Sequence, residues 1–213
     1  MGKTTAIKTS NNANNSADQA MEKFSVVNDY LSQDKLEVLQ KFFQTNVFWT
    51  YGWLSNGNQT PFGHWNHDFL KTKRQNQENA EHVLLDNGAL GPIRDLWLQL
   101  KSDRLKGHSL VRCYANAHTF GIDGQPHTDS RTTGNYTTIV YVNPVWKPEW
   151  AGETVFINDL GDIAHAVLPK PGRIVQFDGR MVHAARGLSR ICPAMRVTLM
   201  FKTTALGATQ DAA

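Results

Sequence analysis

The chain has 213 residues, 40% of them hydrophobic, which suits one domain with a sizeable core and excludes a disordered polymer. A formal net charge of only +3, with no Lys/Arg block, argues against a dedicated nucleic-acid binder. Two cysteines, Cys113 and Cys192, make no disulfide framework and read as reduced thiols of a cytoplasmic protein. No apolar run reaches the roughly 18 residues of a membrane helix, and the N-terminus lacks the apolar core of a secretory signal.

Residues 1–20 are Thr, Asn, Ser and Ala with little to bury, and are expected to form a flexible leader. A single domain is expected over 21–203, followed by a loose tail at 204–213. Ser32 is placed to cap a helix in which Leu36, Leu39, Phe42 and Phe43 recur at helical spacing. Val47 to Tyr51 reads as a short strand. Residues 55–80, rich in Asn, Gly, Gln and Lys, read as a long surface excursion. Its His64-x-x-His67 admits a metal reading, but a polar loop with Trp65 packed back on the domain is the plainer one. Gly91-Pro92 opens a second helix with the stripe Ile93, Leu96, Trp97 and Leu100.

After Gly107 the apolar period changes to two. Strands are predicted at 109–115, 136–142, 153–157, 164–168, 173–177, 181–185 and 195–202, punctuated by turn signals such as Gly121-Ile122-Asp123-Gly124 and Pro169-Lys170-Pro171-Gly172. Helices followed by a run of short strands predict a mainly β fold with flanking helices, a double-stranded jelly roll.

Within that frame His127-Thr128-Asp129 stands out. In extended backbone, residues two apart point the same way, so His127 and Asp129 can bind one ion from one strand end. His183 from a distant strand completes a face of two imidazoles and one carboxylate with open positions, the donor set of non-haem Fe(II) oxygenases. In the last strand alternation puts Arg196, Thr198 and Met200 on one face and Val197, Leu199 and Phe201 on the other. An inward Arg196 needs an anion to offset its burial, and a bound carboxylate supplies one. Thr137 and Tyr141 share a face of strand 136–142 and are candidates to reach that anion. Tyr114, on the strand leading to the His-x-Asp, is a candidate partner for a ligand or for the metal-bound carboxylate. Arg131, in the loop after the triplet, is a candidate to pair with a substrate carboxylate or phosphate. Trp146 and Trp150 are candidates to wall the pocket.

These pieces carry a resemblance. Arg112-Cys113-Tyr114, His127-Thr128-Asp129, Thr138 to Asn143, Trp150 to Thr154, Pro171 to Asp178, His183-Ala184 and Arg196-Val197-Thr198 resemble, in order and spacing, the Fe(II)/2-oxoglutarate-dependent dioxygenases, especially the prolyl 4-hydroxylase-like branch. The resemblance implies a cupin-like double-stranded β-helix, Fe(II) at His127, Asp129 and His183, and 2-oxoglutarate as cosubstrate with its distal carboxylate on Arg196, assisted by Tyr141. It implies O2 as the other cosubstrate, succinate and CO2 as products, and a place for ascorbate. Arg196 lies farther beyond His183 than in many prolyl hydroxylases, and Arg190 intervenes as a rival. In related halogenases a small residue replaces the carboxylate ligand, so Asp129 favours hydroxylation, desaturation or cyclisation over halogenation. The expected substrate is a small polar molecule such as an amino acid. A prolyl or peptidyl hydroxylase, a non-catalytic cupin-type module holding Zn or Mn, and an oxygenase acting on nucleic acid are the alternatives. Residues 1–105 carry no matching motif.

Overall fold

The structure, a computed structural model, describes residues 23–55, 63–71 and 80–207. The leader expected at 1–20 lies outside the described residues. Of the tail expected at 204–213, Thr204 and Ala205 belong to the last strand, and 208–213 lie outside the described residues.

Among the described residues, ten strands form two antiparallel sheets. They are β1 (Phe24–Val27), β2 (Thr50–Trp53), β3 (His64–Asp68), β4 (His108–His118), β5 (Asn135–Tyr141), β6 (Thr154–Ile157), β7 (Ile163–Val167), β8 (Ile174–Asp178), β9 (Val182–Ala185) and β10 (Arg196–Ala205). The larger sheet has seven strands in the order β1-β8-β5-β10-β4-β3-β2, and the smaller has the order β7-β6-β9. Flanking them among the described residues are the α-helices α1 (Gln33–Thr45), α2 (Ala80–Asp86) and α3 (Gly91–Asp103). This is the predicted jelly-roll class. No helix among the described residues is long and apolar enough to cross a membrane.

Side-chain alternation explains the layering. Cys113 and Ala115 of β4, Val140 of β5, Ile174 of β8, and Leu199 and Phe201 of β10 face the helices, where they meet Leu36, Leu39, Ile93, Leu96, Trp97 and Leu100. Tyr114, Ile139, Tyr141, Val175, Phe177 and Met200 face the other way, toward Phe156 of β6 and Val167 of β7 in the smaller sheet. Each fully buried Val, Leu, Ile, Met or Phe among them contributes on the order of 1.5–3 kcal/mol. Ser32 caps α1 by accepting from the Lys35 amide, and Pro92 lies in the first turn of α3.

The chain between α1 and α3 departs from the reading of the sequence. The strand expected at 47–51 runs Thr50–Trp53 instead. The polar stretch 64–68 is not loop but β3, paired with β4 in the larger sheet. β1 and α2 carry no strong period and were not expected. His64 and His67 fall on opposite faces of β3 because they are three residues apart. His64 is buried against His118, while His67 Nδ1 lies 2.9 Å from the Phe48 carbonyl, so the two do not form a joint metal site.

Candidate metal centre and anion pocket

His127 and His183 hydrogen-bond to each other through both main-chain groups, the His127 amide donating to His183 O (3.0 Å) and the His183 amide to His127 O (2.9 Å). That bridge joins the loop carrying the His-x-Asp triplet to β9. The Asp129 amide donates to Gly179 O at 2.8 Å and fixes the third member. Asp129 Oδ1 stands 3.6 Å from His127 Nε2, and Oδ2 stands 3.5 Å from His183 Nε2. One ligand atom from each residue lies within 4.8 Å of the others, the one such group of His, Cys, Asp or Glu among the described residues.

The donor set fits a divalent ion. His127 Nδ1 lies 2.8 Å from Gln125 O, and His183 Nδ1 lies 3.0 Å from Met181 O. A carbonyl can only accept, so each Nδ1 carries the proton and each Nε2 turns a lone pair to the centre. Burial brings the His183 pKa down to about 4, which keeps the ring neutral for ligation. Burial alone would push the Asp129 carboxyl up, but Lys202, His183 and the Thr137 hydroxyl hold it well below the usual carboxylate range. Lys202 Nζ pairs with Asp129 Oδ2, and the Thr137 hydroxyl donates to the same oxygen at 2.6 Å.

The triad sits in a cavity of about 400 Å³ between the sheets. The larger sheet supplies its wall as successive cross-strand rows, two residues apart along each strand. Lys202 is opposite Arg112 and Thr137; Met200 is opposite Tyr114 and Ile139; Thr198 is opposite Asn116 and Tyr141; Arg196 is opposite His118. The triad contacts the first row, and Arg196 closes the last.

Arg196 is 2% exposed. Its Nε donates to Gly152 O at 2.7 Å and its Nη2 to Thr154 Oγ1 at 2.8 Å. The Tyr141 ring lies under the guanidinium, 5.4 Å from Cζ, and its hydroxyl is 2.7 Å from Thr154 Oγ1. Arg196 takes part in no ion pair among the described residues. Gly152, at φ +81°, permits this packing: a Cβ there would meet Arg196 Cδ at 3.1 Å and Trp146 Cζ2 at 3.3 Å.

The other sequence candidates separate. Thr198 and Tyr114 line the cavity as expected. Thr137 also lines it, but in the Lys202 row beside His127, Asp129 and His183, so it does not reach Arg196; Thr154 of β6 takes that place. Arg131 is exposed, and neither it nor Trp146 lines the cavity. Trp146 packs edge-on against Trp150, with its indole N–H on Ala151 O. Arg190, the rival to Arg196, is exposed and lies outside the cavity lining.

Lys202, Thr154, Arg112, His64 and His118 also line the cavity, a place that neither the motifs containing Arg112 and Thr154 nor the His64-x-x-His67 spacing gives them. Extending the β10 alternation one step past Met200 would have placed Lys202 on the Arg196 face. His64 and His118 stack at 4.9 Å in the cavity wall. Burial lowers His64 to about 4 and drives His118 well below the ordinary histidine value. Both are neutral in the fold, whereas on unfolding they take up protons below about pH 6.5. The unfolded chain therefore binds more protons between pH 6.5 and 4, and stability falls as pH falls through that window. In urea titrations of metal-free protein, His64→Gln is expected to flatten this dependence by up to one proton, about 1.4 kcal/mol per pH unit. An unchanged slope would remove His64 from the acid sensitivity.

No protein-family model matches the chain, and no curated protein matches it. Solved structures do. A 2OG-Fe(II) oxygenase family oxidoreductase from Burkholderia pseudomallei superposes with a TM-score of 0.60 at 11% identity, covering 89% of each chain. A Trichoplax adhaerens prolyl hydroxylase, solved with a hypoxia inducible factor peptide fragment, gives 0.57 at 19% identity, covering 86% of this chain and 84% of that one. HygX from Streptomyces hygroscopicus, solved with nickel, 2-oxoglutarate and hygromycin B, gives 0.55 at 9% identity, covering 86% and 83%. In fold, the chain is a double-stranded β-helix of the 2OG-Fe(II) oxygenase type.

Proposed function

We propose that this chain is an Fe(II)- and 2-oxoglutarate-dependent dioxygenase that oxidises an unactivated C–H bond, by hydroxylation, in a small polar molecule such as an amino acid or related metabolite. The observation that carries this is one cavity with a His-Asp-His face at one end and a buried, ion-pair-free Arg196 at the other. The free thiols Cys113 and Cys192 suit a reducing compartment, the cytoplasm.

When bound, iron and 2-oxoglutarate supply the oxidant, by decarboxylation with O2 to succinate and CO2. The protein supplies position and exclusion of water. His127 and His183 aim Nε2 at the metal, with their tautomers set by Gln125 O and Met181 O. Lys202 and Thr137 hold Asp129 ionised and oriented. Arg196, braced by Gly152 and Thr154, offers its charge to the distal carboxylate of 2-oxoglutarate. Tyr114, Ile139 and Met200 form the apolar part of the wall between the two ends. Tyr141 acts through Thr154 and the underside of Arg196. Tyr141→Phe is therefore expected to weaken 2-oxoglutarate binding by about one neutral hydrogen bond, roughly 0.5–1.5 kcal/mol, read as a higher apparent KM at unchanged kcat.

The test is succinate release from 2-oxoglutarate with Fe(II), ascorbate and air, run with free amino acids, proline-containing peptides and nucleotides, and read also as gain of one oxygen atom in the substrate. No succinate under any condition would leave a metal-binding module and end the oxygenase reading. Turnover on peptides alone would favour prolyl hydroxylation of a polypeptide, the second reading, which rests on the likeness to the Trichoplax enzyme.

A further inference from the structure

Three cations line the cavity, Arg112, Arg196 and Lys202, against one acid, Asp129, among its described lining residues. Two of the three are accounted for. Lys202 pairs with Asp129. Arg196, on the reading above, takes the distal carboxylate of 2-oxoglutarate. The ion would take Asp129 and the other carboxylate of 2-oxoglutarate as donors, so the cavity as a whole would keep an excess of positive charge. Arg112 is left over. It is half-buried and makes no hydrogen bond or ion pair among the described residues.

Arg112 is nevertheless held in place. Its Cζ lies 4.8 Å from the Tyr114 ring centroid and 5.6 Å from that of Trp53, at the end of β2. Contacts with two rings orient a guanidinium while leaving its N–H edge free. In the sheet register Arg112 is directly opposite Lys202, the residue that touches the metal ligand Asp129. Opposite side chains start about 5 Å apart. Arg112 Cζ and Lys202 Nζ lie 4.8 and 6.0 Å from the same Tyr114 ring centroid, so a group bound at Arg112 shares the part of the cavity that holds Lys202 and Asp129. Partial burial beside a second cation disfavours an unpaired guanidinium, and a bidentate carboxylate relieves that cost.

We infer that the primary substrate is a small carboxylic acid whose carboxylate is held by Arg112 between Trp53 and Tyr114, with a nearby carbon presented to the His127-Asp129-His183 face. The inference rests on the oxygenase reading and narrows its substrate class. It moves substrate recognition from Arg131, which lies outside the cavity, to Arg112. It also disfavours an internal proline of a polypeptide, which has no carboxylate to offer.

The test reads binding without turnover. Protein loaded with Fe(II) and 2-oxoglutarate under nitrogen is melted in the presence of each of the twenty L-amino acids, the primary amide of each, and an acetylated, amidated proline peptide. One or more free acids are expected to raise the melting temperature, with half-saturation at least tenfold tighter than the matching amide. Arg112→Gln is expected to weaken that acid tenfold or more, and Arg112→Lys, which keeps the charge but not the fork, less. Both variants should bind 2-oxoglutarate within twofold of wild type, which also reports that they are folded. The inference is overturned if no acid binds, if amides or the peptide bind as well as acids, if Arg112→Gln leaves acid binding intact, or if its main defect is in 2-oxoglutarate binding. If 2-oxoglutarate itself fails to stabilise the Fe(II)-loaded wild type, the oxygenase reading falls first and takes this one with it.

Discussion

His183→Ala is expected to lower substrate-dependent succinate formation to background, and His127→Ala and Asp129→Ala are expected to do the same. Each substitution removes one of three donors on a face that has no fourth His, Cys, Asp or Glu among the described residues to replace it. The loss should be visible as metal content after dialysis, and should persist when iron is limiting. His183 also packs 4.7 Å from the Phe177 ring and 5.9 Å from that of Phe156, so its truncation leaves a gap. His183→Gln, which retains most of the volume, separates ligation from packing: it should keep the melting temperature of the metal-free protein and still lose activity. Full turnover in any one of the three alanine variants at limiting iron would sink the triad. The ion should also exchange readily, because a face of three donors is open rather than a closed structural cage.

Arg196→Ala should raise the apparent KM for 2-oxoglutarate by about thirtyfold to more than a thousandfold. That range corresponds to the roughly 2–5 kcal/mol lost when one partner of a buried, hydrogen-bonded charge pair is truncated. Part of the loss has a structural source. Removing the guanidinium also strips Gly152 O and Thr154 Oγ1 of their donors and leaves space against Gly152 and Tyr141. The split between KM and kcat distinguishes the two. A lost cosubstrate contact raises KM and is overcome by saturating 2-oxoglutarate, whereas a collapsed cavity lowers kcat at any concentration. Arg190→Ala, at an exposed position, should change neither. A larger defect from Arg190 than from Arg196 would mean that the anion binds elsewhere.

The misreadings share a physical origin. Periodicity analysis assumes that the inward face of a strand is apolar. Where the inward face lines a polar cavity, the assumption fails. β3 presents His64 and Asn66 inward and the larger Trp65 to the partly exposed side, so its pattern resembles a polar loop. β4 was predicted to end at 115, yet it continues through Asn116 to His118 for the same reason. β10 is legible in the sequence because its outward face, Val197, Leu199 and Phe201, packs on the helices and keeps a strong apolar alternation. Arg131 is near the His-x-Asp triplet in sequence, but Arg131, Thr132 and Thr133 are exposed and the chain there faces solvent. Arg112, distant in sequence, is carried to the cavity by its pairing with Lys202.

By itself the sequence determined the local terms. Period two on β10 and β5 assigned Arg196, Thr198, Tyr141 and Thr137 to inward faces, Ser32 and Pro92 marked helix starts, and the His127-Thr128-Asp129 spacing made a shared ion geometrically possible. Those are properties of neighbouring residues, set by backbone geometry alone. Only the tertiary structure decided which inward residues meet. Cross-strand register put Lys202 and Thr137 on Asp129 and three rows away from Arg196, brought Thr154 from the other sheet to Arg196, and set Arg112 beside Trp53. Register depends on pairings between strands far apart in the chain, and no local pattern encodes it, because every shift by two residues preserves the same alternation.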